Sequence, residues 1–274
     1  MKTVVSTAGI VMKSLLRWGA VLGLMGSVFV GISPKNMKAL ALPEPQIIQK
    51  LSQIPVFTIT NQQGSPLVAS ISNGNQNTSV AGVFISKKDA DDFIQKLTES
   101  NPEMVNSVQV RTVSLADVYQ MERANQGQGA QQLAFDYVPV RQQVDSALAV
   151  LEANGQNVEQ FNGVPLFLAT GGQGNGYLTI QQGEQQVIPL FFNKEDLQGM
   201  LDRLRQQDPN LAQTVNIKVV NLRGLIKLLQ ESNDEQLNKI VLIPSRETIE
   251  YLQSQQQPSP SNGQEPNRTN GQGN

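Results

Sequence analysis

The sequence predicts an α+β fold made of two homologous halves, each a small mixed or antiparallel sheet packed with about three helices. Three observations carry that prediction. The chain repeats itself at an offset of about 110 residues. Each copy mixes strands and helices without strict βαβ alternation. Apolar positions run at sheet spacing in some segments and at helical spacing in others.

The repetition is specific. IPVFTITNQQGSPLVAS (54–70) aligns with VPLFLATGGQGNGYLTI (164–180), placing Pro55 on Pro165, Phe57 on Phe167 and Gly64 on Gly174. From Val83 to Tyr119 the match continues at an offset of 107. Phe84 falls on Phe191, Lys87 on Lys194, Asp89 on Asp196, Leu97 on Leu204, Pro102 on Pro209, Val108 on Val215 and Leu115 on Leu222. Pro139 and Arg141 fall on Pro244 and Arg246. Chance similarity rarely keeps prolines, glycines and apolar positions in step over such a length. The halves are read as 54–152 and 164–252, joined by a linker at 153–163 and preceded by a short helix at 42–53.

Within each half the elements follow from local signals. A β-branched and aromatic run, Val56 to Thr60, meets a turn at Gly64 and a second strand, Leu67 to Ile71. The polar loop 72–77 leads to a third strand, Val80 to Ile85. Ser86 with Asp89, and Asn193 with Asp196, are helix-start signatures. The first helix carries an apolar stripe at Ala90, Phe93, Ile94 and Leu97; its copy has Leu197, Met200, Leu201 and Leu204. Asn101-Pro102 and Asp208-Pro209 stop these helices. Val108, Val110 and Val113, then Val215, Ile217 and Val219, read as half-buried strands. Ser114 or Asn221 caps a second helix, a fourth strand ends at Val138 or Ile243, and a third helix closes the unit. Strand order does not follow from pattern.

The ends read differently. Lys13 and Arg17 precede an apolar run from Trp18 to Ile32, and Ala39-Leu40-Ala41 supplies a small-x-small cleavage pattern before Leu42. That run is about 15 residues, short of the roughly 20 that span a membrane. Residues 1–41 are therefore expected to be a cleaved signal peptide, leaving a mature form without an integral membrane span. From 253 to 274 the chain is polar and proline-rich, with no apolar residue but proline, and is expected to be disordered.

Charge and composition exclude several chemistries. The whole chain has 21 basic and 23 acidic residues. The first 41 positions hold five of the bases and no acid, so the 233 residues that follow carry a net charge of −7. That balance argues against nucleic acid as a partner, which needs a basic footprint. There is no histidine and no cysteine, which removes a Ser-His-Asp triad, a cysteine nucleophile, disulfides, and the usual zinc and haem sites. No catalytic residue, metal site or cofactor is expected.

The candidate motifs have simple structural explanations. The glycines of Gly171-Gly172-Gln173-Gly174-Asn175-Gly176 lead into a strand, so they read as a hairpin turn rather than a phosphate cradle. Asp89, Asp91 and Asp92 sit in the first turn of a capped helix, where the macrodipole favours negative charge. Arg141 and Arg246 open helices against that dipole in both copies, and a structural salt bridge is favoured over a ligand site. Phe57, Phe167, Phe84 and Phe191 sit on strands, where core is the simplest reading. The helix stripes admit two geometries. Lying flat on a sheet, they are core. Standing partly off it, they line an apolar groove floored by the strand phenylalanines. In that second geometry the client-binding residues are Phe84, Phe93, Ile94, Leu97, Phe191, Leu197, Met200, Leu201 and Leu204.

Two copies of a VPxF…G…F(I/F)(S/N)K…D unit, in a cysteine-free chain with an export leader, resemble the Tic twenty-two family. These are soluble components of the translocon at the inner envelope membrane of chloroplasts, and their cyanobacterial relatives. The carrying residues are Ile54-Pro55-Val56-Phe57 with Val83-Phe84-Ile85-Ser86-Lys87, and Val164-Pro165-Leu166-Phe167 with Leu190-Phe191-Phe192-Asn193-Lys194. The bacterial-type signal in place of a transit peptide points to the cyanobacterial branch. The resemblance implies a two-lobed chaperone that binds unfolded outer-membrane or precursor proteins through apolar surfaces and supports outer-membrane biogenesis. Its implied place is the periplasm, with the thylakoid lumen open, or the plastid intermembrane space for a plastid relative. The alternative is a non-chaperone adaptor or structural subunit of an envelope machinery, with a folded partner such as the outer-membrane barrel-assembly protein.

Overall fold

The computed structural model describes residues 28–30, 42–73, 76–125, 133–172, 174–232 and 234–256. The expected cleavage site, most of the leader and the polar tail beyond Gln256 lie outside them. In chain order the elements are β1 (Val28–Val30), α1 (Glu44–Leu51), β2 (Pro55–Asn61), β3 (Val68–Asn73) and β4 (Gln76–Phe84). Next come α2 (Lys87–Ser100), a 3-10 turn (Pro102–Met104), β5 (Val108–Ser114), α3 (Leu115–Asn125), β6 (Leu133–Val138) and α4 (Arg141–Ala153). The second half continues with β7 (Pro165–Gly171), β8 (Gly176–Gln182), β9 (Gln185–Phe191), α5 (Lys194–Gln207), α6 (Pro209–Ala212) and β10 (Asn216–Asn221). It ends with α7 (Leu222–Glu231), α8 (Gln236–Lys239), β11 (Ile240–Ile243) and α9 (Arg246–Gln256). Helix α9 runs through Gln256, so the first four residues of the expected tail, 253–256, are helical.

The class is α+β, and the two sheets share one pairing scheme. In the first, β2 pairs antiparallel with β4 and β5, β3 pairs antiparallel with β4, and β6 joins β4 in parallel. In the second, β7 pairs antiparallel with β9 and β10, β8 pairs antiparallel with β9, and β11 joins β9 in parallel. The register agrees too: Phe57 lies opposite Phe84, and Phe167 opposite Phe191. Equivalent backbone bonds recur outside the ladders. Leu115 N donates to Ile54 O at 2.7 Å, and Leu222 N to Val164 O at 2.9 Å.

Burial follows from the period-two alternation of strand side chains. Val56, Val83, Leu166, Leu168, Ile188 and Leu190 face a central cluster, with α1, α3 and α7 packed between the sheets. Phe57, Ile59 and Phe84 face outward under α2, whereas Phe167, Ala169, Leu178 and Phe191 face outward under α5. Both faces are therefore covered at the centre of each sheet. This explains why β7 is buried at all seven positions and reads as a continuous apolar run.

The third helices depart from the expected arrangement, in which each closes its own half. Helix α4 packs on the second half: Ala147 and Val150 join the cluster of Phe167 and Leu197, and Asn154 Nδ2 donates to Ile217 O at 3.0 Å. Helix α9 reaches the first half, where the Tyr251 ring lies edge-on to Phe57 at 5.8 Å. The seam between the halves explains the exchange. Strand β6 lies on it, since Phe135 O accepts from Arg223 of α7 at 2.8 Å. A chain leaving that strand meets the neighbouring sheet first. At the matching place on β11, Ile240 O accepts from Lys50 Nζ of α1 at 2.9 Å, and burial holds the Lys50 pKa below its ordinary value.

Helix starts follow the sequence in three of four cases. Ser86 accepts from Asp89 N at 3.4 Å, Ser114 Oγ accepts from Asp117 N at 3.0 Å, and Asn221 accepts from Arg223 N at 2.8 Å. Asn193, expected to cap α5, makes no side-chain cap bond. Gln143 of α4 does it instead: its Oε1 accepts from Lys194 N at 2.9 Å and its Nε2 donates to Glu195 at 2.7 Å. The glycine-rich loop is a hairpin turn between β7 and β8, with Gly172 and Asn175 at positive φ.

Candidate apolar binding surface

The two helix stripes occupy different environments. On α5, Leu197, Met200 and Leu204 are 0%, 3% and 3% exposed and belong to the outer cluster of the second half. On α2, Ala90 is fully buried, but Phe93, the counterpart of Met200, is 44% exposed. Ile94 and Leu97 are half-buried. The strand phenylalanines Phe84 and Phe191 are buried.

The groove expected around Leu197, Met200, Leu204 and Phe191 is therefore corrected: these residues are core. The physical reason is α4, which lays Ala147 and Val150 on the same cluster and closes it. Met200→Asp would bury a charge in this cluster and so could not leave the fold intact. Phe84 is also core, yet its ring stays in contact with the surface through Phe93, at 5.5 Å between centroids. Gly82 makes room for it; a Cβ there would stand 3.0 Å from the Phe84 ring.

Among the described residues each helix stripe leaves one accessible place, and the two differ. The first is Phe93 with the half-buried Ile94 and Leu97 on α2. Its polar flank carries the ion pairs Lys87–Asp91 and Lys88–Asp92, each at 2.5 Å. Asp89 packs inward, with its Oδ2 buried and unbonded, and burial pushes its carboxyl pKa up. The second patch is a cleft of about 190 Å³ beside α5, where Leu201 meets Val215 and Ile217 under an Asp202–Arg205 pair at 2.7 Å. Of the four second-half helix positions, Leu201 alone lines it.

A second cleft, of about 230 Å³, lies on the seam and was not anticipated from the sequence. Arg223 spans it, with its guanidinium 4.8 Å from the Tyr137 ring centre and 3.4 Å from Glu122. Tyr137 Oη donates to Glu122 at 3.2 Å. Burial is the main cause raising both pKa values; for Glu122 it outweighs Arg223 and the Tyr137 bond, which pull the other way. Arg246, read as a structural pair, lies 4.0 Å from Asp196, and its backbone N–H donates to the same carboxylate at 3.1 Å. Among the described residues no cluster of three or more carboxylates could hold a metal, and no helix is long and apolar enough to cross a membrane.

The model of the Tic22-like family matches residues 4–257. The chain belongs to the Tic22-like family. Tic22-like relatives include a chloroplastic protein of Arabidopsis thaliana, 26% identical over 229 residues, which are 82% of this chain and 66% of that one. Chloroplastic TIC 22 of Pisum sativum is 20% identical over 217 residues, covering 78% and 79%. Among solved structures, one described as Anabaena Tic22 (protein transport) superposes with a TM-score of 0.70 at 33% identity, over 80% of this chain and all of that one. Tic22 from Plasmodium falciparum gives 0.61 at 25% identity, over 76% and 96%.

Proposed function

We propose that this Tic22-like protein acts in protein transport by binding unfolded precursor segments through apolar surface, without chemistry of its own. The observation that carries this reading is Phe93. A large aromatic residue is 44% exposed on a capped helix and in tilted ring contact with a buried phenylalanine, with Ile94 and Leu97 beside it. The protein-transport description of the Anabaena relative supports it. A protein with no nucleotide site can hold unfolded chains only by preferring them to folded ones, and an apolar patch supplies that preference.

In this reading the two halves descend from one duplicated unit, which the matched strand pairings and registers support. The periplasm is the proposed place of action, on the expectation of a bacterial-type leader; its chloroplastic relatives lead to the intermembrane space as the plastid equivalent. Outer-membrane precursors are the proposed clients. The test is suppression of aggregation of several unrelated unfolded proteins. Suppression of all of them, reduced by Phe93→Asp in a chain that stays folded, supports the reading. Suppression of none would leave the adaptor alternative.

A further inference from the structure

We propose that the outer edge of β8 is a strand-acceptor site for an extended, continuously apolar segment of an unfolded precursor chain. The protein's own Val28–Val30 holds that seat in the full-length chain. The proposal deepens the precursor-binding reading and rests on it.

The seat is occupied in the structure. Strand β8 pairs with β7 through Gly176 and Tyr177 and with β9 through Ile180, Gln181 and Gln182. Its remaining side, at Tyr177–Thr179, pairs antiparallel with β1 in the register Val30↔Tyr177, Phe29↔Leu178, Val28↔Thr179. The added strand comes from the apolar run of the expected leader, far away in sequence. A row of backbone N–H and C=O groups at a sheet edge is a template for another extended chain. Here the template has taken one. Cleavage after Ala41 would remove that strand and open the edge.

The surroundings specify the chemistry of the occupant. Residues directly opposite in a ladder share a face of the sheet. Leu178 is 2% exposed and faces the outer cluster, whereas Tyr177 packs on the central cluster and Thr179 is fully buried. Both faces are thus covered at this edge. A strand added here enters apolar surroundings above and below, so a run apolar at every position fits, and an alternating strand would bury polar groups on one face. Val28-Phe29-Val30 has that composition. The equivalent edge in the first half differs. Val68, Ala69 and Ser70 of β3 are exposed, Val68 to 43%, and β3 is the last strand of its sheet among the described residues. With β1 seated, the edge of β8 is covered, whereas the edge of β3 carries no further strand among the described residues and is exposed.

The experiment uses the full-length chain and a labelled synthetic peptide of residues 26–32, GSVFVGI, with solubilising lysines at its ends. Val28→Pro with Val30→Pro prevents the internal strand from pairing. The unsubstituted chain competes with the peptide through a tethered strand at an effective concentration of about 1 mM, so the proline variant should bind it more tightly by an order of magnitude or more. An alternating Val-Ser peptide should bind neither chain. Hydrogen exchange at Tyr177, Leu178 and Thr179 should be slow in the unsubstituted chain, fast in the variant, and slow again with peptide. Equal peptide binding by both chains, or binding by neither, overturns the site. Dimerisation of the variant through this edge in place of peptide binding overturns the occupant. Should the proline variant not fold, Val30→Cys with Tyr177→Cys gives the decision in a chain with no other cysteine. Oxidised, it must bind less peptide than when reduced, and equal binding sinks the proposal. If the oxidised chain still suppresses aggregation fully, general precursor binding stands and this site alone fails.

Discussion

Helices α2 and α5 hold the same place in their halves and do different things with it. Both follow the third strand of their half, both end before a proline, and their apolar stripes align residue for residue. Yet Met200 is core and Phe93 is surface. The difference is made by a third helix from elsewhere. Helix α4 gives the second half two apolar side chains and a polar clamp, Gln143, at the start of α5. The ring of Tyr251, seated on Phe57, is what α9 adds to the cluster of the first half. The same apolar pattern therefore yields one closed outer layer and one partly open one.

The sharpest test of that contrast is to place the same charge at both positions. Met200→Asp puts an unpaired carboxylate into a closed cluster and should cost about 3–5 kcal/mol, enough to unfold a marginal domain. Phe93→Asp should cost about 1 kcal/mol, mainly the ring contact with Phe84, while lowering aggregation suppression. Urea unfolding of the two variants decides it; equal losses would erase the distinction between the halves.

A second comparison concerns how each half gains its third helix. Tyr251→Ala should cost about 1–2 kcal/mol through the lost aromatic pair and its buried area, and should raise binding of an apolar dye at the exposed Phe57. If dye binding does not change, α9 is not the cover of the first half. The helix starts give a smaller contrast. Gln143→Ala removes the bond to Lys194 N and the one to Glu195, and should cost about 1–2 kcal/mol. Ser86→Ala removes one long bond, and about 0.5–1 kcal/mol is expected from thermal or urea unfolding. A reversed order would mean that α4 does not anchor α5.

The smallest effect is a pH dependence at the seam. Burial holds Glu122 above its usual 4.5, so the folded chain keeps this proton longer than the unfolded chain does. Stability from this group is complete below the usual value and falls as pH rises through the raised folded value. Glu122→Gln stays neutral throughout. Its unfolding free energy should therefore decline less than that of the unsubstituted chain as pH rises from 4.5 toward neutrality. An equal decline in the two would show that Arg223 and the Tyr137 bond offset burial fully, and a steeper one in the variant that they outweigh it.

Much of the fold is legible in the residues themselves because its signals are local. Strand runs such as Val56 to Thr60, the stops at Pro102 and Pro209, and the caps Ser86, Ser114 and Asn221 depend on neighbours a few positions away. Strand Gln76–Phe84 begins earlier than its apolar pattern, since ladder pairing with β3 draws the polar residues Gln76 and Asn77 into it. The cap of α5 was hidden because Gln143 lies some 50 residues upstream, and nothing near Asn193 refers to it.

What the sequence determined alone is which positions are apolar, where most elements start and stop, and that the two halves carry the same pattern. Tertiary structure decided which copy of each apolar position meets water. That outcome depends on where α4 and α9 come to rest, and their resting places are set by β6 and β11 lying at a seam that Arg223 and Lys50 bridge. A hydrophobic stripe states how much surface a helix must bury; only the neighbours it meets determine whether it can bury it all.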